Sequence, residues 1–70
     1  MPYYEFTLAG DVDPAALERE TGLRCTLVAH GVLAGGELAD RAALHGIIER
    51  VYRLGLDLIS LERRSTHHVP

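Results

Sequence analysis

Asp40-Arg41-Ala42-Ala43-Leu44-His45-Gly46-Ile47-Ile48-Glu49-Arg50-Val51-Tyr52-Arg53-Leu54-Gly55-Leu56-Asp57-Leu58-Ile59-Ser60-Leu61 reads as a helix, a glycine stop and a strand. Leu44, Ile47, Ile48, Val51 and Leu54 recur at the spacing that lines one side of a 3.6-residue helix, and Arg41, His45, Glu49 and Arg53 fall off that stripe. One face of the helix is therefore built for burial. Asp40 is placed to cap its start, and Gly55 supplies the positive φ that ends a helix at little cost. Leu56 to Leu61 then has the branched, apolar character of a strand packed beneath it, finishing near Arg63.

Upstream, Tyr3 to Ala9 alternates, with Tyr4, Phe6 and Leu8 on one side and Tyr3, Glu5, Thr7 and Ala9 on the other, the period of a half-buried strand. Asp13-Pro14 starts a short helix, since Asp13 can cap and proline at the first position costs no hydrogen bond. Leu17 is its one large apolar residue, and Gly22 is its stop. Leu23, Cys25 and Leu27 alternate with Arg24, Thr26 and Val28 in a second strand, the first set facing the core. His30-Gly31 separates this run from Val32 to Ala34 and is read as a tight hairpin turn, the alternative being a bulge in one long strand. Gly35-Gly36 then closes the third strand.

The two halves echo one another. Leu8-Ala9-Gly10 recurs as Leu33-Ala34-Gly35, Ala15-Ala16-Leu17 as Ala42-Ala43-Leu44, and Gly22-Leu23 as Gly55-Leu56. Two β-α-β units in tandem predict an α+β, ferredoxin-like βαββαβ domain, a four-stranded antiparallel sheet with both helices on one face. Residues 1–64 would form this single domain and 65–70 a flexible tail. The bare face of the sheet, carrying Tyr3, Thr7, Thr26, Val28 and one of Leu58 or Ile59, is more apolar than solvent requires, which predicts an interface there.

Seventy residues bury only about 60% of the unfolded chain's surface, so such a core usually needs a supplement. Cys25 is the single cysteine and cannot form an internal disulfide. Self-association is the expected supplement, as a homodimer or other homo-oligomer. The net charge of −3 opposes general binding to nucleic acid or anionic membranes. Nucleic-acid contact ranks third among the readings, confined to Arg50, Arg53, Arg63 and Arg64. The charge is split, −5 over residues 1–40 and +2 over 41–70. Met1 to Glu5 lacks the basic start of a secretion signal, and no apolar run approaches about 20 residues, so a cytoplasmic location is expected.

Chemistry is sparse. His45 lies one turn from Arg41 and Glu49, with Tyr52 two turns along, but no second histidine or carboxylate set converges on them. Cys25, in step with core-facing leucines, reads as a buried hydrophobe. His67-His68 lacks further metal ligands, and Gly35-Gly36 lacks the residues of a phosphate loop. No catalytic set, metal or cofactor is expected. Ala42 and Gly46 leave a small-residue groove on the outer side of the long helix, a possible seat for a partner helix.

The run Asp40 to Ile48, continued by Leu54-Gly55-Leu56 and Leu58-Ile59-Ser60-Leu61, resembles a group of short uncharacterised bacterial proteins with an Asp-Gln-Ala-Ala-Leu-His-Gly-Leu-Leu box and a Leu-Gly-Leu strand; Arg41 stands where glutamine is usual. The order of strand, Asp, helix, Leu-Gly-Leu and strand is also similar to ACT domains, which sense amino acids, usually as dimers. That resemblance implies a ligand near the first strand-helix loop, at Gly10, Asp11 and Asp13. The expected function is a non-catalytic interaction or regulatory module that self-associates through its open sheet face. The competing expectation is a small-molecule sensor or small enzyme with a pocket between helix and sheet, using Tyr3, Asp11, Asp13, His45 and Tyr52.

Overall fold

The computed structural model describes residues 2–64. The elements run β1 (Tyr3–Ala9), α1 (Pro14–Thr21), β2 (Arg24–Val28), β3 (Gly31–Glu37), α2 (Arg41–Arg53) and β4 (Asp57–Arg64). The strands form one antiparallel sheet in the order β2-β3-β1-β4. This is the ferredoxin-like α+β arrangement. The tail and its His67-His68 pair lie outside the described residues.

Local signals set most boundaries. The Asp13 carboxylate accepts from the Ala15 N–H at 3.3 Å, and that of Asp40 accepts from the Ala43 N–H at 2.9 Å. Each cap satisfies an amide that the first helical turn leaves without a partner. Beyond α2, Leu56 N–H donates to the Val51 carbonyl and Gly55 N–H to the Tyr52 carbonyl. With Gly55 at φ 79° and Val51 and Leu56 both buried, this is a Schellman stop with its hydrophobic clasp.

Phe6, Leu8, Leu17, Val32 and Val51 are the largest fully buried side chains, and they fill the space between sheet and helices. Tyr4, Ala43, Leu44, Ile48 and Leu58 pack around them. Leu54 departs from expectation. It sits at the C-cap of α2, past the last full turn, and remains 39% exposed. Leu27 departs further, at 65% exposed, because α1 has only eight residues, about 12 Å, and leaves the far end of β2 uncovered.

Two boundaries also differ. The hairpin is real, but Val28 pairs with Gly31, so its turn residues are Ala29 and His30. His30 has no positive φ, and Gly31 opens β3. Gly35 and Gly36 do not end β3; they lie inside it, opposite Glu5 and Tyr4 of β1. Tyr3 lies against one side of Gly35, and a side chain at Gly36 would come within 2.8 Å of Leu23 Cδ2. Glycine is needed there for close approach, not for a turn.

The internal repeat holds in its helices and their stops. Asp13 and Asp40 both cap, Gly22 and Gly55 both take positive φ, and Leu23 and Leu56 are both buried. The first landmark is not equivalent in space. Leu8 faces the core at 2% exposed, whereas Leu33 faces away at 36%.

Candidate functional site

Cross-strand partners point to the same side of a sheet, so the register fixes the composition of the open face. Its centre is Leu33, opposite Thr7 on one side and Thr26 on the other. Val28 lies next along β2, 37% exposed. Tyr3 lies over Gly35, which is itself opposite Arg24. Three of the expected interface residues, Tyr3, Thr7 and Val28, therefore share this face with Leu33.

The rim is charged. Arg64 Nη2 lies 3.1 Å from Glu5 Oε1 and 3.0 Å from Glu62 Oε1. The pairs raise the guanidinium pKa, the hydrogen bond to Glu62 most of all. The contact to Glu5 joins the basic second half to the acidic first half, although at this exposure it adds little stability. Leu58 does not belong to the open face, because it pairs with Leu8 on the helical side. A bulge between Thr7 and Leu8 leaves Ile59 as the extra residue, 63% exposed.

Two shallow hollows lie on this face. One, of about 430 Å³, is lined by Tyr3, Gly22, Arg24, Gly35 and Gly36, and the other, of about 130 Å³, by Tyr3, Glu5, Arg24, Thr26 and Leu33 with their neighbours. A third, of about 640 Å³, is a broad depression on the outside of α2 between Arg41, Ala42, His45, Gly46 and Glu49. His45, Ala42 and Gly46 are thus brought together, but among the described residues nothing packs on Gly46, whose missing side chain faces open space. Glu49 is engaged with Arg53 at 3.2 Å.

The other ligand candidates stay apart. Asp13 is committed to its cap. Asp11 is exposed before α1, and Tyr52 is exposed on α2. Among the described residues no group of three or more His, Cys, Asp or Glu gathers as a metal site. No helix among them is long and apolar enough to cross a membrane.

One polar contact has no short-range sequence signal. Glu18 Oε2 of α1 accepts from the backbone N–H of Cys25 at 2.9 Å. The Cys25 thiol points inward and donates weakly to the Leu23 carbonyl at 3.6 Å. Burial, reinforced by the negative charge of Glu18, pushes that thiol up to about 11. A nucleophilic thiol needs the opposite shift.

Element order and sheet topology define a small ferredoxin-like domain that leaves one sheet face, of mixed apolar and charged composition, uncovered by its helices. The family described as Domain of unknown function (DUF8691) matches residues 3–62, and the chain belongs to it. No curated protein and no solved structure matches the chain.

Proposed function

We propose that the protein is a non-catalytic interaction module that self-associates through the open face of its sheet. The observation that carries this reading is Leu33. It stands on a sheet face that no helix covers, between Thr7 and Thr26, and shares that face with Val28 and Tyr3 and with the charged Arg24, Glu5, Glu62 and Arg64. A few apolar side chains set among polar and charged ones is the make-up of a non-obligate protein interface. A cytoplasmic location belongs to the same reading, supported by a free, inward-pointing thiol in a chain without disulfides.

The sensor or enzyme reading has less support. The space between helices and sheet is filled by Phe6, Leu8, Leu17, Val32 and Val51, and His45 and Tyr52 project to solvent from α2. Small-molecule sites enclose most of their ligand, and the hollows on the sheet face and on α2, formed by described residues, are open depressions.

Light scattering on the wild type and Leu33→Arg tests the proposal. The wild type is expected as a dimer or larger at micromolar concentration, and the variant, with an unchanged circular dichroism spectrum, at half that mass. A wild type that is monomeric throughout would sink it.

A further inference from the structure

The sheet has two edges, and they are treated differently. β2 is short, α1 packs along it, and the Glu18 carboxylate occupies the Cys25 N–H. Since β2 pairs with β3 on its other side, that carboxylate blocks a strand from adding at this edge. β4 is the longest strand, and no element among the described residues pairs with its outer edge.

Apolar side chains collect beside that open edge. Ile59 is 63% exposed, and Leu61, on the helical side opposite Phe6, is 36% exposed. On α2, Leu44, Ile48 and Tyr52 follow at intervals of four and so form one ridge. Arg50 on the opposite flank reaches the Glu20 carbonyl of α1 at 3.1 Å. The ridge is therefore turned away from α1, along β4, against which α2 also packs.

We infer that the outer edge of β4 is a second self-association surface, on which β4 of another copy pairs antiparallel to give a continuous eight-stranded sheet. Charge selects this occupant. β4 begins with Asp57 and ends with Arg63-Arg64, so antiparallel self-pairing runs the acidic start of each strand toward the basic end of the other, Asp57 falling one position past Arg64 in the register below. Parallel pairing would stack like charges.

The register follows as well. Opposed residues share a face, so a two-fold axis that keeps both helical layers on one side must pass through a residue paired with its own copy. Glu62 on the axis would oppose two carboxylates. Leu61 on the axis joins two apolar side chains beside the α2 ridges, places Ser60 opposite Glu62, and covers Ile59 with the Arg63 stem. The bulge at Ile59 leaves Ser60 to Arg64 in regular ladder with β1, available for this pairing.

This surface is independent of the open face. Used together, the two contacts stack a pair of eight-stranded sheets into a tetramer with two kinds of two-fold interface. The test places single cysteines in a Cys25→Ala background, Leu61→Cys on the open edge and Leu27→Cys on the blocked one, under copper-phenanthroline oxidation. Leu61→Cys is expected to run almost wholly as a covalent dimer on a non-reducing gel, and Leu27→Cys as a monomer. Ile59→Lys, at an exposed position that leaves the core intact, is expected to halve the mass seen by light scattering.

The outcomes separate the two surfaces. Cross-linking through Leu61 with no effect of Leu33→Arg on mass would remove the face contact and support the edge. Absent cross-linking through Leu61, or an unchanged mass for Ile59→Lys, would overturn the edge whatever Leu33→Arg does.

Discussion

The Glu18 carboxylate reaches seven residues along the chain to accept the backbone N–H of Cys25 at 2.9 Å, tying α1 to the outer edge of β2. Truncation by Glu18→Ala leaves that amide without its partner in a part-buried setting, at a cost of about 1–2 kcal/mol. Glu18→Gln keeps an acceptor oxygen and should recover most of the loss. Urea denaturation of the three proteins checks the order. Equal midpoints for Glu18→Ala and the wild type would remove the edge-capping role.

The thiol beside this contact predicts a pH response. Cys25 titrates near 9.0 when unfolded and at about 11 in the fold. Below pH 9 both states hold the proton and nothing is lost. Between pH 9 and 11 the unfolded state releases it first, so stability falls as pH rises through that window and then levels. The quantity to measure is the difference in unfolding free energy between the wild type and Cys25→Ala, which isolates the thiol. That difference should shift against the wild type across the window; a flat difference would mean that the thiol is not desolvated. At pH 8 the native thiol should react slowly with a disulfide reagent.

Gly35 and Tyr3 form a separable pair. A methyl group at Gly35 meets the Tyr3 phenol, so Gly35→Ala must displace the ring from the open face or shift β3. Overpacking of this kind costs about 1–3 kcal/mol. In a Tyr3→Ala background the obstacle is gone and Gly35→Ala should be close to neutral. Additive effects in this double-mutant cycle would show that the close approach is not what requires glycine.

These contacts also mark how far the sequence could be read. Tyr3–Ala9 follows from alternation, and the starts and stops of both helices follow from Asp13, Pro14, Gly22, Asp40 and Gly55, each acting within one turn of its own position. Gly35-Gly36 reads as a turn by the same local logic, yet Tyr3 and Leu23, distant in sequence, decide its role. Leu33 lies on the open face because it pairs with Thr7 of β1 and Thr26 of β2, and the Thr7 pairing is a long-range contact that no local pattern announces. Periodicity also places Leu27 on the helical side, but its exposure depends on how far α1 extends. Asp11, Asp13, His45 and Tyr52 are chemically plausible ligand residues one by one, and only their separate positions argue against a shared site.

The two caps should differ in strength. Asp40 holds the Ala43 N–H at 2.9 Å and starts a helix of 13 residues, whereas Asp13 holds the Ala15 N–H at 3.3 Å on a helix of eight. Asp40→Ala should cost about 1–2 kcal/mol and Asp13→Ala about 0.5–1. Pro14 already fixes the first turn of α1, which lowers the dependence on its cap. Thermal unfolding of both variants is sufficient, and the reverse order would contradict the geometry.

Gly46 distinguishes the outer side of α2 from the two surfaces assigned to self-association. It is exposed in the middle of the helix, and a methyl group there meets no described residue within 4 Å. In a free helix surface Gly46→Ala should stabilise by about 1 kcal/mol, because alanine loses less backbone entropy than glycine. Gly46→Leu should also fold and leave the oligomer mass unchanged if association runs through the sheet. A fall in mass with Gly46→Leu alone, at unchanged circular dichroism, would move the interface to the depression between Ala42, His45 and Glu49. Leu33 and Leu61 would then be ordinary surface residues, and their substitutions would leave the mass unaltered.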